Sequence, residues 1–253
     1  MEKKYADSFV NELVAFYRKQ LASVRELKLS KNQEDIPHQH ILSHATYSPW
    51  SEHAAFQETY QRIKTNTLVD IYRCYELWNL IERHPHVQGD ILEVGVWRGG
   101  TGCLMAKAAQ LFAPKTKVYL ADTFTGVVKA GENDTEYKGG EHADTSIGIV
   151  RQLVADLGLT NTELLVGIFP DQVDLPTGST RPLKLCHIDV DTHTSAQHIF
   201  ERVWPIMASG GAVVFDDYGF WGCEGITRLC NDLRPPDATF MHNVNGHAIF
   251  IKR

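Results

Sequence analysis

The spacing of apolar positions changes character near residue 88. Upstream, Phe9, Leu13, Phe16, Tyr17 and Leu21 recur at three- and four-residue steps, which predicts an amphipathic helix over 7–23. Residues 26–58 are polar and His-rich, contain Pro37 and Pro49, and keep no period, so they read as loop or short helices. Helical spacing returns over 66–83 with Leu68, Ile71, Tyr72, Tyr75, Trp78 and Ile81, and stops before Pro85.

Downstream the rhythm becomes strand, helix, strand. Apolar runs predict strands over 89–96, 117–124, 162–169, 182–191 and 210–217. Helical patterns fall between and after them at 101–112, 145–157, 195–207 and 223–233, with Ser195 a candidate N-cap. Two last strands flank Asn245-Gly246, a strong hairpin signal. This alternation predicts a doubly wound, mostly parallel seven-stranded α/β sheet over 88–253 with an antiparallel C-terminal hairpin. A helical extension, 1–87, precedes it.

Composition narrows the classes. The 253 residues carry 25 basic and 31 acidic side chains, a net charge of −6, and are 43% hydrophobic. Those values exclude a disordered or fibrous chain and argue against a nucleic-acid binder that neutralises phosphates. The five cysteines, Cys74, Cys103, Cys186, Cys223 and Cys230, form no CxxC pair. They read as reduced thiols rather than a disulfide framework or a zinc site. The opening MEKKYADSF lacks the apolar core of a secretory signal, and no apolar run approaches the roughly 20 residues of a membrane span. The expectation is a cytoplasmic protein without a membrane partner.

In open parallel sheets ligands sit outside the carboxyl ends of the strands. The first strand ends in Glu93-Val-Gly95 and runs through Gly99, Gly100, Thr101 and Gly102. Glycines there let a backbone approach a ligand, yet the spacing is neither GxGxxG nor a phosphate-cradling loop. A plain strand-to-helix turn is the competing reading, although an acid at position 93 is hard to explain as packing. Asp122 ends the second strand, where a carboxylate can accept from ribose hydroxyls or simply cap a turn.

A sharper signal is His187-Ile-Asp189-Val-Asp191 at one strand end and Asp216-Asp217 at another. The 27 residues from Asp189 to Asp216 fit one helical crossover, which makes the two strands parallel neighbours about 5 Å apart. Four carboxylates on one rim call for protons or a cation, and hard oxygen ligands point to Mg²⁺, Ca²⁺ or Mn²⁺. The alternative is that each aspartate caps a loop or helix. His187 lies deeper and reads as a core histidine.

These stretches, Leu92–Thr101, Ala121–Gly126, Gly167–Asp171, His187–Asp191 and Val214–Gly219, together resemble the macrocin O-methyltransferase family in order and spacing. The resemblance covers about 88–253 and departs from the family's usual residues at Gln172 and His193. It implies a Rossmann-like class I methyltransferase fold and methyl transfer from S-adenosylmethionine, with Mg²⁺ or another hard divalent cation, to a sugar hydroxyl of a natural-product glycoside or nucleotide-sugar precursor. It implies cofactor contacts at Glu93, Gly95, Gly99, Thr101, Asp122, Ile168, Phe169 and Asp171. It implies a metal triad of Asp189, Asp216 and Asp217, and Asp191 as general base. In the family the helical extension assists assembly and covers the substrate, which implies a homo-oligomer.

Several residues stay open. The Gly- and charge-rich loop 125–144 is a candidate lid, with His142 an alternative base or sugar contact. Tyr218, Trp221 and His193 are candidates for the acceptor pocket. Two other functions fit the same fold: a catechol-type or polyketide hydroxyl O-methyltransferase, and a non-catalytic binding protein.

Overall fold

A computed structural model describes residues 2–24, 36, 38, 45, 47–176 and 181–253, with the first helix's side chains described from 9 to 20. Within the segment 26–58, residues 26–35, 37, 39–44 and 46 lie outside the described residues. The chain divides into two compact units, 1–47 and 48–253. The first contains α1 (Glu2–Val24), on which Phe9, Leu13, Phe16 and Tyr17 are exposed. Among the described residues, no helix is long and apolar enough to cross a membrane.

The second unit is built on one seven-stranded sheet. Its strands are β1 (Asp90–Val94), β2 (Val118–Asp122), β3 (Thr162–Val166), β4 (Leu183–Ile188), β5 (Met207–Phe215), β6 (Ala238–His242) and β7 (Ala248–Lys252). Their order is β3-β2-β1-β4-β5-β7-β6. The first five are parallel, and β7 runs antiparallel between β5 and β6. This is the doubly wound, mostly parallel sheet with an antiparallel hairpin that the apolar alternation predicts. From β1 the chain winds outward through β2 to β3, and from β4 the other way to β5. The gap between β1 and β4 is therefore the switch point at which open sheets bind ligands.

Two layers cover the sheet. Helices α2 (Ala54–Ile63), α3 (Ile71–Glu82), α4 (Gly100–Phe112) and α5 (Ile147–Asp156) pack on one face around Trp78, Phe56, Leu104 and Met105. Helices α6 (His193–Val203) and α7 (Glu224–Asp232) cover the other, around Phe200, Phe215 and Phe250. All five cysteines are buried and unpaired.

Local chemistry moves several boundaries. A helix begins inside the segment read as loop or short helices: His53 caps α2 by accepting from the Phe56 N–H at 3.2 Å, and Phe56, Thr59 and Ile63 bury one face. The helix expected from residue 66 starts at Ile71, because the Asp70 carboxylate accepts from the Tyr72 and Arg73 N–H groups at 2.8 and 3.0 Å. Thr192, not Ser195, is the N-cap residue of α6. Ser195 lies within the helix and its hydroxyl donates to the Val128 carbonyl at 3.0 Å.

Candidate active site

Side-chain parity along the strands assembles the site. On the face covered by α3 and α4, Ile91 is followed by Glu93, Leu185 by His187 and Asp189, and Val214 by Asp216. The pairing puts Glu93 beside His187 and His187 beside Val214. One step beyond, the Asp189 N–H donates to the Val94 carbonyl and the Asp216 N–H to the Ile188 carbonyl, so both aspartates sit at adjacent strand ends. Asp191 and Asp217 follow with φ of 62° and 63°, a left-handed backbone that costs non-glycine residues about 1–3 kcal/mol and concentrates at functional sites.

The turn after β1 needs glycine for a physical reason. Gly95 has φ of 89°, and a Cβ there would lie 1.6 Å from the Asp189 carbonyl oxygen. Asp122 holds the next residues: its Oδ2 accepts from the Val96 and Trp97 N–H groups at 2.7 and 2.8 Å, and its Oδ1 from Phe124 N–H at 2.6 Å. A carboxylate offers about four acceptor sites, so three are occupied by the turn itself.

Arg73, from α3, is the counter-charge of the carboxylate cluster. Its guanidinium is bonded to Asp216, donates through Nε to Asp70 at 2.9 Å, and stands 3.8 Å from Asp217. The Phe220 ring covers it at 4.6 Å. Burial pushes the carboxyls of Asp189 and Asp217 well above the usual carboxylate range, and the Asp216 charge adds to this. Burial also raises Asp191, against the opposing hydrogen bond of Tyr137 and charge of His142. Asp216 goes the other way: burial opposes its charge, but His187, His247 and Arg73 outweigh it and hold the carboxyl well below the usual range. The donor set Asp189, Asp216 and Asp217 is all hard oxygen, and one carboxylate oxygen from each lies within 4.8 Å of the others.

The loop after β2 crosses the site and is pinned to both neighbouring helices. Asp134 is buried and accepts from Gly131 N–H and His193 N–H, both at 2.9 Å. Thr192 and Ser195 hydroxyls both donate to Val128 O. The Thr135 hydroxyl donates to Glu224. The loop thereby presents Tyr137 and His142, whose Oη and Nε2 are 3.5 Å apart, beside Asp191.

These parts enclose one cavity of about 340 Å³. One end is lined by Gly95, Thr101, Asp122, Ile168 and Phe169, the other by Asp189, Asp191, Asp216, Asp217 and Trp221, with Tyr137 and His142 also in its wall.

Comparison with known proteins fits this arrangement. The sequence model of the macrocin O-methyltransferase family (TylF) matches residues 18–252. The chain belongs to this family. Against the 8-demethyl-8-(2,3-dimethoxy-alpha-L-rhamnosyl)-tetracenomycin-C 4'-O-methyltransferase of Streptomyces olivaceus it is 31% identical over 171 residues, 63% of this chain and 65% of that one. It therefore spans just under two thirds of that relative's length. The demethyldecarbamoylnovobiocin O-methyltransferase of Streptomyces niveus is 27% identical over 197 residues, 73% of this chain and 74% of that one. In fold it resembles the solved O-methyltransferase NovP, with a TM-score of 0.64 and 24% identity over 74% of this chain and 82% of that one.

In this macrocin-family chain, not every residue singled out from sequence reaches the cavity. Among the expected cofactor contacts, Glu93 is fully buried beneath the turn, its Oε1 3.0 Å from His187 Nδ1. Gly99 packs against Val150, and Asp171 is exposed and paired with Lys129 at 2.6 Å. Among the acceptor candidates, Tyr218 donates to Asn231 at 2.8 Å and His193 opens α6; neither lines the cavity, whereas Trp221 does. Sequence reasoning missed Arg73, Tyr137 and His247. A lone basic residue in an amphipathic helix and a histidine after a hairpin turn carry no signal of their own.

Proposed function

We propose that this chain transfers the methyl group of S-adenosylmethionine to a hydroxyl of a sugar, in a natural-product glycoside or a nucleotide-sugar precursor. The observation that carries the reading is the single cavity that joins the Gly95–Asp122–Ile168 end to the carboxylate end. Family membership supports the donor, and the relatives named for tetracenomycin and novobiocin methylation support the acceptor class.

A hard divalent cation such as Mg²⁺ suits Asp189, Asp216 and Asp217. Their ligand atoms are all oxygen, and burial with mutual repulsion disfavours charge on Asp189 and Asp217 until a cation offsets it. When bound, such an ion lowers the pKa of a coordinated hydroxyl and fixes its direction. The remaining work falls to the chain. Gly95 and Asp122 shape the donor end, with Thr101, Ile168 and Phe169 as its walls. Arg73 fixes Asp216 from behind. Asp191, oriented by Tyr137, takes the proton of the acceptor hydroxyl, and His142 is the alternative base. Methyl transfer from a sulfonium to an incipient alkoxide neutralises charge, so the walls favour it by excluding water.

In this reading 88–253 is the methyltransferase domain and 1–87 the extension that serves assembly and substrate cover, with α3 supplying Arg73. The five buried free thiols suit a reducing, cytoplasmic setting.

The test is a transfer assay with labelled S-adenosylmethionine against glycosides bearing vicinal hydroxyls and against catechols, with Mg²⁺ or with chelator. Label appearing in a glycoside only with Mg²⁺ supports the reading. Label in catechols alone moves the acceptor class, and equal transfer in chelator removes the cation.

A further inference from the structure

Beneath the cavity, two histidines that the proposed reaction does not use flank Asp216. His187, His247 and Asp216 each offer one ligand atom within 4.8 Å of the other two. The two histidines are 0% exposed and Asp216 is 3% exposed. Among the described residues, none of the three atoms His187 Nε2, His247 Nε2 and Asp216 Oδ1 has a hydrogen-bond partner of good geometry. His247 Nε2 is 2.9 Å from Asp216 Oδ1 and His187 Nε2 is 3.8 Å from it, so charge attraction is strong, yet neither N–H axis meets that oxygen. Charge thus draws the three groups together without a well-formed hydrogen bond among the described residues, in a protein interior where roughly 90% or more of buried polar groups are bonded.

The far side of each ring is fully engaged. His187 Nδ1 is 3.0 Å from Glu93 Oε1, and His247 Nδ1 is 2.5 Å from Glu76 Oε2. Glu76 is itself gripped by Asn243 Nδ2, 2.8 and 2.7 Å from its two oxygens. A carboxylate behind each imidazole orients it and makes its Nε2 more basic, the usual support of metal-bound histidine. Glu93 and Asp216 hold His187 protonated, so a cation entering here displaces that proton. Fold and register impose the arrangement: His187 on β4, Asp216 after β5 and His247 before β7 stand on adjacent strands, and α3 brings Glu76 over them.

We propose that His187, His247 and Asp216 form a second cation site, distinct from the all-oxygen triad and linked to it through Asp216. Two imidazoles and one carboxylate select a borderline divalent transition ion, Zn²⁺ or a chemical neighbour such as Co²⁺ or Fe²⁺, over Mg²⁺. The cluster abuts the cavity at Asp216, which with Arg73 lines its wall. Bound there, it fixes Asp216 from below as Arg73 does from the side. The proposal stands apart from methyl transfer, because its readout is metal binding at nitrogen.

The test uses the full chain, stripped with chelator and dialysed. Co²⁺ is titrated in while visible d–d absorption is followed. The expected result is one equivalent with nitrogen-ligand bands, displaced by Zn²⁺. Asp189→Asn should keep these bands, and His247→Gln should weaken Co²⁺ binding at least tenfold. Absence of the bands in the parent chain, or bands unchanged by His247→Gln, overturns the site. Should His247→Gln fail to fold, crystals of the parent chain soaked in Zn²⁺ decide the matter at the zinc absorption edge. An anomalous peak between the two Nε2 atoms and Asp216 supports the proposal, and density there without anomalous signal means a buried water and overturns it.

Discussion

Gly95 and Asp189 approach so closely that a Cβ on the glycine would lie 1.6 Å from the aspartate's carbonyl oxygen. The donor-side turn and the first residue of the carboxylate cluster are thus one rigid junction at the β1–β4 switch point. Gly95→Ala would add a clash with backbone to an unfavourable φ of 89°. Expected is a loss of about 3 kcal/mol in stability, with weakened S-adenosylmethionine binding in whatever folds. Urea unfolding checks the first part, and a variant as stable as the parent would show that the junction relaxes.

Asp189→Ala separates the two ends of the cavity. It removes a carboxylate from the rim and leaves the turn's backbone unchanged. Methyl transfer should vanish while affinity for S-adenosylmethionine stays within a few-fold, as read by calorimetry. A variant that no longer binds the cofactor would sink this division of labour.

Arg73→Met probes the counter-charge. Arg73 is 5% exposed, and its guanidinium is bonded to a carboxylate that is itself buried. Removing one member of a buried pair leaves the other uncompensated, which destabilises by about 3–5 kcal/mol. In chelator the melting temperature should fall sharply, and Mg²⁺ should restore part of the loss by binding the freed carboxylates. Equal melting temperatures for variant and parent in chelator would mean that Arg73 does not balance the cluster.

Assembly is tested at α1. Phe9, Leu13, Phe16 and Tyr17 are exposed along this helix, and apolar surface of that kind marks an interaction face. Light scattering after size exclusion should give a homo-oligomer for the parent chain and a smaller species for Leu13→Glu with Phe16→Glu. A monomeric parent would contradict the assembly role given to the extension.

Much of this was legible in the sequence, and the reason is period. Parallel strands buried on both faces read as continuous apolar runs, so β1, β2, β4 and β5 stood out with their terminal acids, and the separation of Asp189 from Asp216 fixed their neighbourhood. Local turn chemistry was legible at Asn245-Gly246. Long-range partnership was not. Arg73 looks like the polar side of an amphipathic helix until α3 is laid across the strand ends. Glu93 looked like a ligand of the cavity, yet it lies beneath the turn against His187, because Gly102 leaves room for its carboxylate: a Cβ there would sit 2.3 Å from Oε2. His187 reads as a core histidine, and the structure buries it fully between Glu93 and Asp216. His247 gave no sign, since only the antiparallel return of β7 sets it opposite Asp216.

The most direct test of the central claim is calorimetric titration of S-adenosylmethionine into chelator-treated protein, repeated with Mg²⁺. The account predicts one-to-one binding in both buffers, because it assigns the donor end of the cavity to Gly95, Asp122 and Ile168 and not to Asp189, Asp216 and Asp217. No binding in either buffer would contradict it, and the cavity would then belong to a protein that keeps the family's fold without its donor.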